Sequence, residues 1–86
     1  MPNRTQAIVA SVPPSGDILT AYDRAHLVTY LKLLDAEAMQ IDWTVTARSV
    51  LSLDPEADVD AAQRVYAAHL ARAHWMTRVG FRYLLK

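Results

Sequence analysis

Three histidines are the first side chains in this sequence that could do chemistry, as metal ligands or as acid–base groups. His69 and His74 are five residues apart. On a helix this spacing separates them by roughly 140° around the axis, so they cannot hold one metal ion together. His26 belongs to a different predicted helix. We therefore expect no metal site, and the pattern favours His69 as a partly buried, hydrogen-bonded core residue.

Four acids alternate with other residues near the middle of the chain, at Asp54, Glu56, Asp58 and Asp60. This spacing is that of the first ligands of a calcium-binding loop. Such a loop also needs glycine and a bidentate glutamate, where this chain has Val59 and Val65. Calcium binding is therefore disfavoured. The sequence also lacks a nucleophile-elbow serine and a glycine-rich phosphate loop, so we expect no enzyme, no catalytic residues and no cofactor.

The elements that position these side chains are predicted to be helices only. The chain has 86 residues, the size of one small domain, and 52% of them are hydrophobic. Alanine and leucine dominate and there are only two glycines, which favours an all-α fold. The chain has no cysteine and no apolar run of the ~20 residues that a membrane span requires, so we expect a cytoplasmic protein.

Helix-breaking residues and helical periodicity together divide the chain into a predicted flexible arm, residues 1–19, and a predicted domain, residues 20–86. Within the domain we predict helices from Thr20 to about Met39, from Trp43 to about Leu51, and from about Val59 to Arg78. A long helix, a short helix, a turn and another long helix is the outline of a helix-turn-helix. The predicted turn is nearer seven residues than the usual three or four, which makes this an extended-turn variant.

Helix caps and a core follow from the same patterns. Thr20 and Asp23 form a capping box, Asp42 and Asp58 cap the second and third helices, and Gly80 should end the third in the left-handed conformation. Leu27, Leu31 and Leu34 recur at the spacing of one buried helical stripe. The predicted core comprises Leu27, Leu31, Leu34, Trp43, Val50, Tyr66, Leu70 and Phe81.

The charge pattern bears on whether this protein binds DNA or another protein. The formal net charge is zero, but all nine acids lie at or before Asp60. The third helix carries Arg64, Arg72 and Arg78, which could meet phosphates. A DNA-reading helix, however, approaches the bases with its N-terminal residues, and here the acidic turn Asp54–Asp60 precedes and opens the helix. Those carboxylates repel phosphate, so we expect DNA binding to be weak or absent.

A second stripe on the first helix is predicted to be exposed and to bind a protein partner. It consists of Tyr22, His26, Tyr30 and Leu33. On the third helix Trp75 is predicted as a further anchor, because tryptophan is enriched at interface hot spots. The alternative, that the C-terminal turn covers Trp75, stays open.

Three segments together resemble one protein family. They are "LTAYDRAHLVTYLKLLDAEA", "IDWTVTARSVL" and "HWMTRVGFRYLLK", which span roughly residues 18–86. They resemble successive blocks of the proteobacterial family catalogued as domain of unknown function 2285. The most specific part is the ending, where Gly80, Phe81, Arg82, Leu84 and Leu85 match a glycine, aromatic, arginine and paired-leucine signature.

The resemblance implies an extended-turn helix-turn-helix fold and a role in transcription. Some members bind DNA as parts of activators of conjugative elements, whereas the small stand-alone QseM-like members are antiactivators. The acidic turn and the short arm make this chain more similar to the antiactivators. The implied partner is a transcriptional activator of the FseA type, or a LuxR-type quorum-sensing regulator. An autonomous DNA-binding regulator is the alternative.

Overall fold

The computed structural model describes residues 12–14 and 16–80, and this part of the chain is helical without a strand. Its elements are α1, Ala21–Ala25; α2, Leu27–Ala38; α3, Trp43–Leu51; α4, Val59–Trp75; and a π-helical segment, Met76–Gly80. The all-α prediction is confirmed. None of the described helices is long and apolar enough to cross a membrane. The predicted arm falls largely outside the described residues.

The predicted first helix is broken at His26, which lies between α1 and α2 at φ −114° and ψ 20°. The capping box at the start of α1 forms as predicted, with the Thr20 hydroxyl accepting from the Asp23 N–H and the Asp23 carboxylate accepting from the Thr20 N–H. Helical hydrogen bonds continue on both sides of this residue, from the His26 N–H to the Tyr22 carbonyl and from the Tyr30 N–H to the His26 carbonyl.

The buried face of α2 consists of Tyr30, Leu33 and Ala36. The predicted stripe lies beside it: Leu27 and Leu34 are half-buried, and Leu31 is 64% exposed. The prediction that Leu31 belongs to the core is therefore wrong, and Leu33, which is fully buried, is the core leucine of this helix.

Two helices end in the left-handed conformation at residues other than glycine. After α2, Gln40 has φ 59°, and its N–H and that of Ile41 bond to the carbonyls of Glu37 and Ala36, as in a Schellman motif. After α3, Ser52 has φ 57°. Gly80, which was predicted to cap the last helix, belongs instead to the π-helical segment, and the α-helix stops at Trp75.

The core lies where α2, α3 and α4 meet. Its buried members are Tyr30, Leu33, Leu51, Ala73 and Met76, and around them lie the partly buried Leu27, Leu34, Val50, Tyr66 and Leu70. Trp43 is half-buried and its ring lies 5.8 Å from that of Tyr66. Five of the eight predicted core residues therefore lie partly buried around the core, but none of the eight is among its buried members, and Phe81 lies outside the described part of the chain.

Candidate functional site

The stripe predicted to bind a partner is mostly interior. Tyr30 and His26 are 2% exposed and Leu33 is fully buried, while Tyr22 is half-buried. The prediction that these side chains form an exposed surface is therefore wrong. Asp23, His26, Tyr30 and Leu33 are buried at spacings of three and four, so this face is continuous across His26 and lies toward the core.

A buried ion pair between Asp23 of α1 and Arg72 of α4 lies at the centre of this interior face. Nε and Nη2 of Arg72 donate to the two carboxylate oxygens of Asp23 at 2.9 and 2.7 Å. Both side chains are almost completely buried. The paired donors match the two carboxylate oxygens, so the pair fixes the distance and the angle between α1 and α4.

Three other groups complete the hydrogen bonding of this pair. The Tyr30 hydroxyl donates to Asp23 Oδ1 at 2.7 Å. Arg72 also donates to two backbone carbonyls ahead of α1, with Nη1 to Gly16 at 2.7 Å and Nη2 to Ile18 at 2.9 Å. Residues 16–18, predicted to belong to a free arm, are therefore held against α4, and the arm prediction is wrong for them.

Burial by itself raises the pKa of Asp23, but hydrogen bonds from Arg72, Thr20 and Tyr30 outweigh it and lower that pKa from 3.8 to about 2. The pKa of Tyr30 is raised, first by burial and then by its hydrogen bond to the carboxylate. The pKa of Arg72 is raised by its hydrogen bonds to Asp23. All three groups therefore keep one charge state through the neutral range, which makes this cluster a structural element and a poor proton carrier.

A second polar contact joins α1 to α4 one turn earlier, through His69. Its Nδ1 lies 2.8 Å from the Val65 carbonyl, which can only accept, so Nδ1 carries the proton. Nε2 of the neutral ring then accepts from the Tyr22 hydroxyl at 2.5 Å. Burial lowers the pKa of His69, and the nearby His26 lowers it further. His69 is thus the buried, hydrogen-bonded histidine that the sequence predicted.

Trp75 is half-buried and its ring carries the guanidinium of Arg72, whose central carbon lies 3.7 Å from the ring centroid. The tryptophan predicted as a partner anchor therefore has an intramolecular role as one wall of the ion-pair site. The C-terminal turn that was the alternative cover for Trp75 lies outside the described residues.

The four acids of the predicted turn are all exposed in and beside the linker between α3 and α4, residues 52–58. Asp58 caps α4 by accepting from the Ala61 N–H at 3.0 Å, and Asp54 accepts from the Glu56 N–H at 3.1 Å. Glu56 lies 3.3 Å from Arg48 as a solvent-exposed pair, and Asp60 is in the first turn of α4. Local structure therefore accounts for part of this acidity, but all four carboxylates still face solvent at the positive end of α4.

The arginines of α4 and the π-helical segment divide into two kinds. Arg64 and Arg78 are exposed, whereas Arg72 is 4% exposed and engaged by Asp23. The prediction that Arg72 could meet phosphate is therefore wrong. Within the described residues, α4 thus has fewer cations available to DNA than its sequence indicated.

An apolar groove of about 330 Å³ runs between α2 and the end of α4. Leu27, Leu31 and Leu34 form one side, and Met76 and Thr77 form the other. Its floor is Tyr30 and Ala73. Leu31 at its edge is 64% exposed, so the groove is open to water, which is an unfavourable arrangement for this much apolar surface.

Among the described residues, no group of three or more histidines and acids is placed to hold a metal ion. Comparison of the chain with protein-family models, curated proteins and solved structures finds no match. The resemblance described from the sequence therefore stays a prediction.

The sequence interpretation missed the Asp23–Arg72 pair, although one signal pointed to it. Arg72 is three residues after His69 and four before Met76, so it lies on the apolar face of its helix. A charged residue at such a position needs a buried partner of opposite sign. Asp23 had been assigned only to the capping box, and its second role depends on the tertiary contact between α1 and α4.

Proposed function

We propose that this protein is an antiactivator, which binds a transcriptional activator and inhibits it by protein–protein contact. In line with the family resemblance, the partner is an FseA-type activator of the transfer of an integrative element, or a LuxR-type quorum-sensing regulator, in the cytoplasm. The contact surface is the acidic start of α4, formed by Asp54, Glu56, Asp58 and Asp60. These carboxylates occupy the basic surface with which the activator would otherwise meet DNA.

The observation that carries this proposal is the exposure of all four carboxylates at the end of α4 that a DNA-reading helix turns toward the bases. Contact with DNA depends on cations that release counterions from phosphates. Here the approaching end is anionic, and Arg72 is withdrawn into an ion pair. A basic protein surface is the complementary partner for such an end.

The burial of Tyr30 and Leu33 also bears on the choice of surface. An aromatic anchor would contribute more affinity than exposed charges, but these side chains cannot reach a partner without unfolding α2. The acidic surface is the remaining predicted surface that is accessible. Autonomous DNA binding is the second candidate, and the exposed Arg64 and Arg78 favour it.

The test neutralises the acidic surface with isosteric side chains, in the quadruple variant Asp54→Asn, Glu56→Gln, Asp58→Asn and Asp60→Asn. Asparagine still caps α4 and still forms the turn at residue 54, so the fold should be kept. We expect a loss of inhibition in a reporter driven by the activator and a loss of co-purification with it. Binding by the wild type should weaken steeply as salt rises from ~0.05 to ~0.3 M.

A matched control changes exposed acids elsewhere, Asp17→Asn with Asp35→Asn, and should inhibit like the wild type. The quadruple variant should also gain weak, sequence-indifferent affinity for DNA through Arg64 and Arg78. Full inhibition by a folded quadruple variant would remove the acidic surface from the proposal. A sequence-specific nanomolar complex of the wild type with DNA would instead establish the second candidate.

A further inference from the structure

The outward face of α2 carries a row of four exposed residues, which we call the α2 seam. Val28 near its start and Met39 at its C-cap are 63% and 65% exposed. Lys32 and Asp35 lie between them and are also exposed. The intervals along the chain are four, three and four residues, the spacing at which a helix packs along a second helix in a coiled coil. The α2 seam therefore has the pattern of a helix-pairing surface.

The order of residues in the α2 seam is self-complementary. It has an apolar residue at each end and two charges of opposite sign in the middle. If two copies of α2 pack antiparallel about the point between residues 33 and 34, Lys32 of each copy faces Asp35 of the other. In the same arrangement Val28 of each copy faces Met39 of the other. A parallel pair would bring like charges together, which is unfavourable. The pattern thus selects the antiparallel direction.

The two charges of the α2 seam are available to a second copy. None of the ion pairs among the described residues includes Lys32 or Asp35. Beside these residues a hollow of about 180 Å³ lies between α2 and α3, lined in part by Met39, Ile41 and Val45. Ile41 and Val45 are exposed, so they extend the apolar surface at the Met39 end of the seam. In the antiparallel pair, this apolar surface is the one that Val28 of the other copy meets.

We propose that this protein forms a homodimer in which the α2 helices of two copies pack antiparallel through the α2 seam. The interface is isologous, because the same residues contribute from both copies. The seam is about 16 Å long. Such a contact is smaller than the ~800 Å² per partner of a standard interface, so we expect a dissociation constant in the micromolar range. This inference does not depend on the antiactivator proposal, because the seam shares no residue with the acidic surface and its test measures mass.

Charge reversal tests the pairing, with the mass of the full chain measured by sedimentation equilibrium from about 10 µM to about 1 mM. The wild type should approach twice the 9.6 kDa of one chain. Lys32→Asp and Asp35→Lys each place like charges opposite one another, so each should raise the dissociation constant at least about tenfold. The double variant Lys32→Asp with Asp35→Lys restores opposite charges and should dimerise like the wild type. Arg64→Asp, at an exposed residue of α4, is the control and should also dimerise like the wild type.

Disulfide formation tests the direction of the helices, because the chain has no cysteine. Under mild oxidation, a mixture of Val28→Cys and Met39→Cys chains should form mainly the mixed dimer, identified by its mass. Each variant alone should cross-link more slowly, because in the antiparallel pair its thiol faces an unchanged side chain.

Three results would overturn the proposal. The first is a wild type that stays monomeric at about 1 mM. The second is a double charge-reversal variant, shown to be folded by circular dichroism, that dimerises no better than the single variants. The third is cross-linking of either cysteine variant with itself as fast as in the mixture.

Discussion

Replacing Arg72 by Met removes one member of the buried ion pair and leaves the Asp23 carboxylate in the interior without its main counter-charge. The difference between a pKa of 3.8 and one of about 2 corresponds to about 2 kcal/mol of stabilisation of the anion. Loss of the two bonds to the Gly16 and Ile18 carbonyls adds about 1 kcal/mol each. We therefore expect Arg72→Met to lower the free energy of unfolding by about 3–5 kcal/mol at pH 7, as is usual when one member of a buried pair is removed.

The pH dependence should change along with the stability. In the wild type, the folded-state pKa of Asp23 is below its unfolded value, so its contribution is complete above about pH 4 and is lost as pH falls toward 2. In Arg72→Met the lowering by Arg72 is lost, so the pKa of Asp23 should rise from its value of about 2. The buried anion then destabilises the variant at neutral pH, and protonation relieves this. The difference between the two proteins should therefore shrink between pH 7 and pH 3.

Urea unfolding, followed by circular dichroism at pH 7, 5 and 3, measures both quantities. Arg64→Met is the matched control, because Arg64 is an exposed residue of the same helix, and it should change stability by less than ~0.5 kcal/mol. The effect of Asp23→Asn on stability should have opposite signs in the two proteins: it should destabilise the wild type and stabilise the Arg72→Met variant. A loss below ~1 kcal/mol for Arg72→Met at pH 7, or one that does not vary with pH, would refute this reasoning.

Three further results are expected. Gln40→Gly should raise the free energy of unfolding by about 0.5–1 kcal/mol, because glycine adopts φ 59° without strain, whereas Gln40→Val should lower it; thermal melts decide the sign. Leu33→Ala should lower the free energy of unfolding by about 2–5 kcal/mol and Leu31→Ala by less than ~1 kcal/mol, the reverse of what helical spacing predicted. Denaturant unfolding that gives equal losses for the two variants would contradict the assigned burial. The pKa of His69 should lie below 6.5, so the free energy of unfolding should fall as pH drops through 6.5 and level off below the folded-state pKa. Nitrogen-detected NMR should show a proton on Nδ1 of His69, and a pKa above 6.5 would contradict the assigned contacts.

Local signals in the sequence predicted most of the helix boundaries. The side chains of Thr20, Asp42 and Asp58 cap their helices as expected, because capping depends on residues only two or three positions apart. The starts of α3 and α4, and the end of α3 at Leu51, were predicted for the same reason.

The buried face of α2 could not be predicted in this way, because two neighbouring stripes have helical spacing and the choice between them depends on the contacts of α2 with α3 and α4. Asp23, His26, Tyr30 and Leu33 are buried and recur at spacings of three and four, so one helical face continues across the interruption at His26. The His26 backbone N–H still bonds to the Tyr22 carbonyl, and the ring Nδ1 of His26 bonds to the same carbonyl at 2.8 Å. Periodicity alone therefore could not decide which of the two stripes is buried.

Of the candidate site, the sequence correctly predicted only the exposure of the acidic residues, which follows from their charge. The exposure of the four acids follows from their solvation, which sequence reports well. The burial of Arg72 depends on Asp23, which is 49 residues away in the sequence, and helical spacing relates only residues a few positions apart. The same limit explains why Tyr22, His26, Tyr30 and Leu33 were assigned to the surface.

The long separation between Asp23 and Arg72 has a consequence for how the domain folds and opens. Helix α1 has only five residues and would be marginal alone, yet the ion pair, the Tyr22–His69 bond and the bonds to residues 16 and 18 tie it to α4 across 47 to 56 positions. Contacts that span so much of the chain close late, after the local helices have formed. The amide protons of α1 should therefore exchange only when α4 also opens, so that α1 and α4 behave as one cooperative unit.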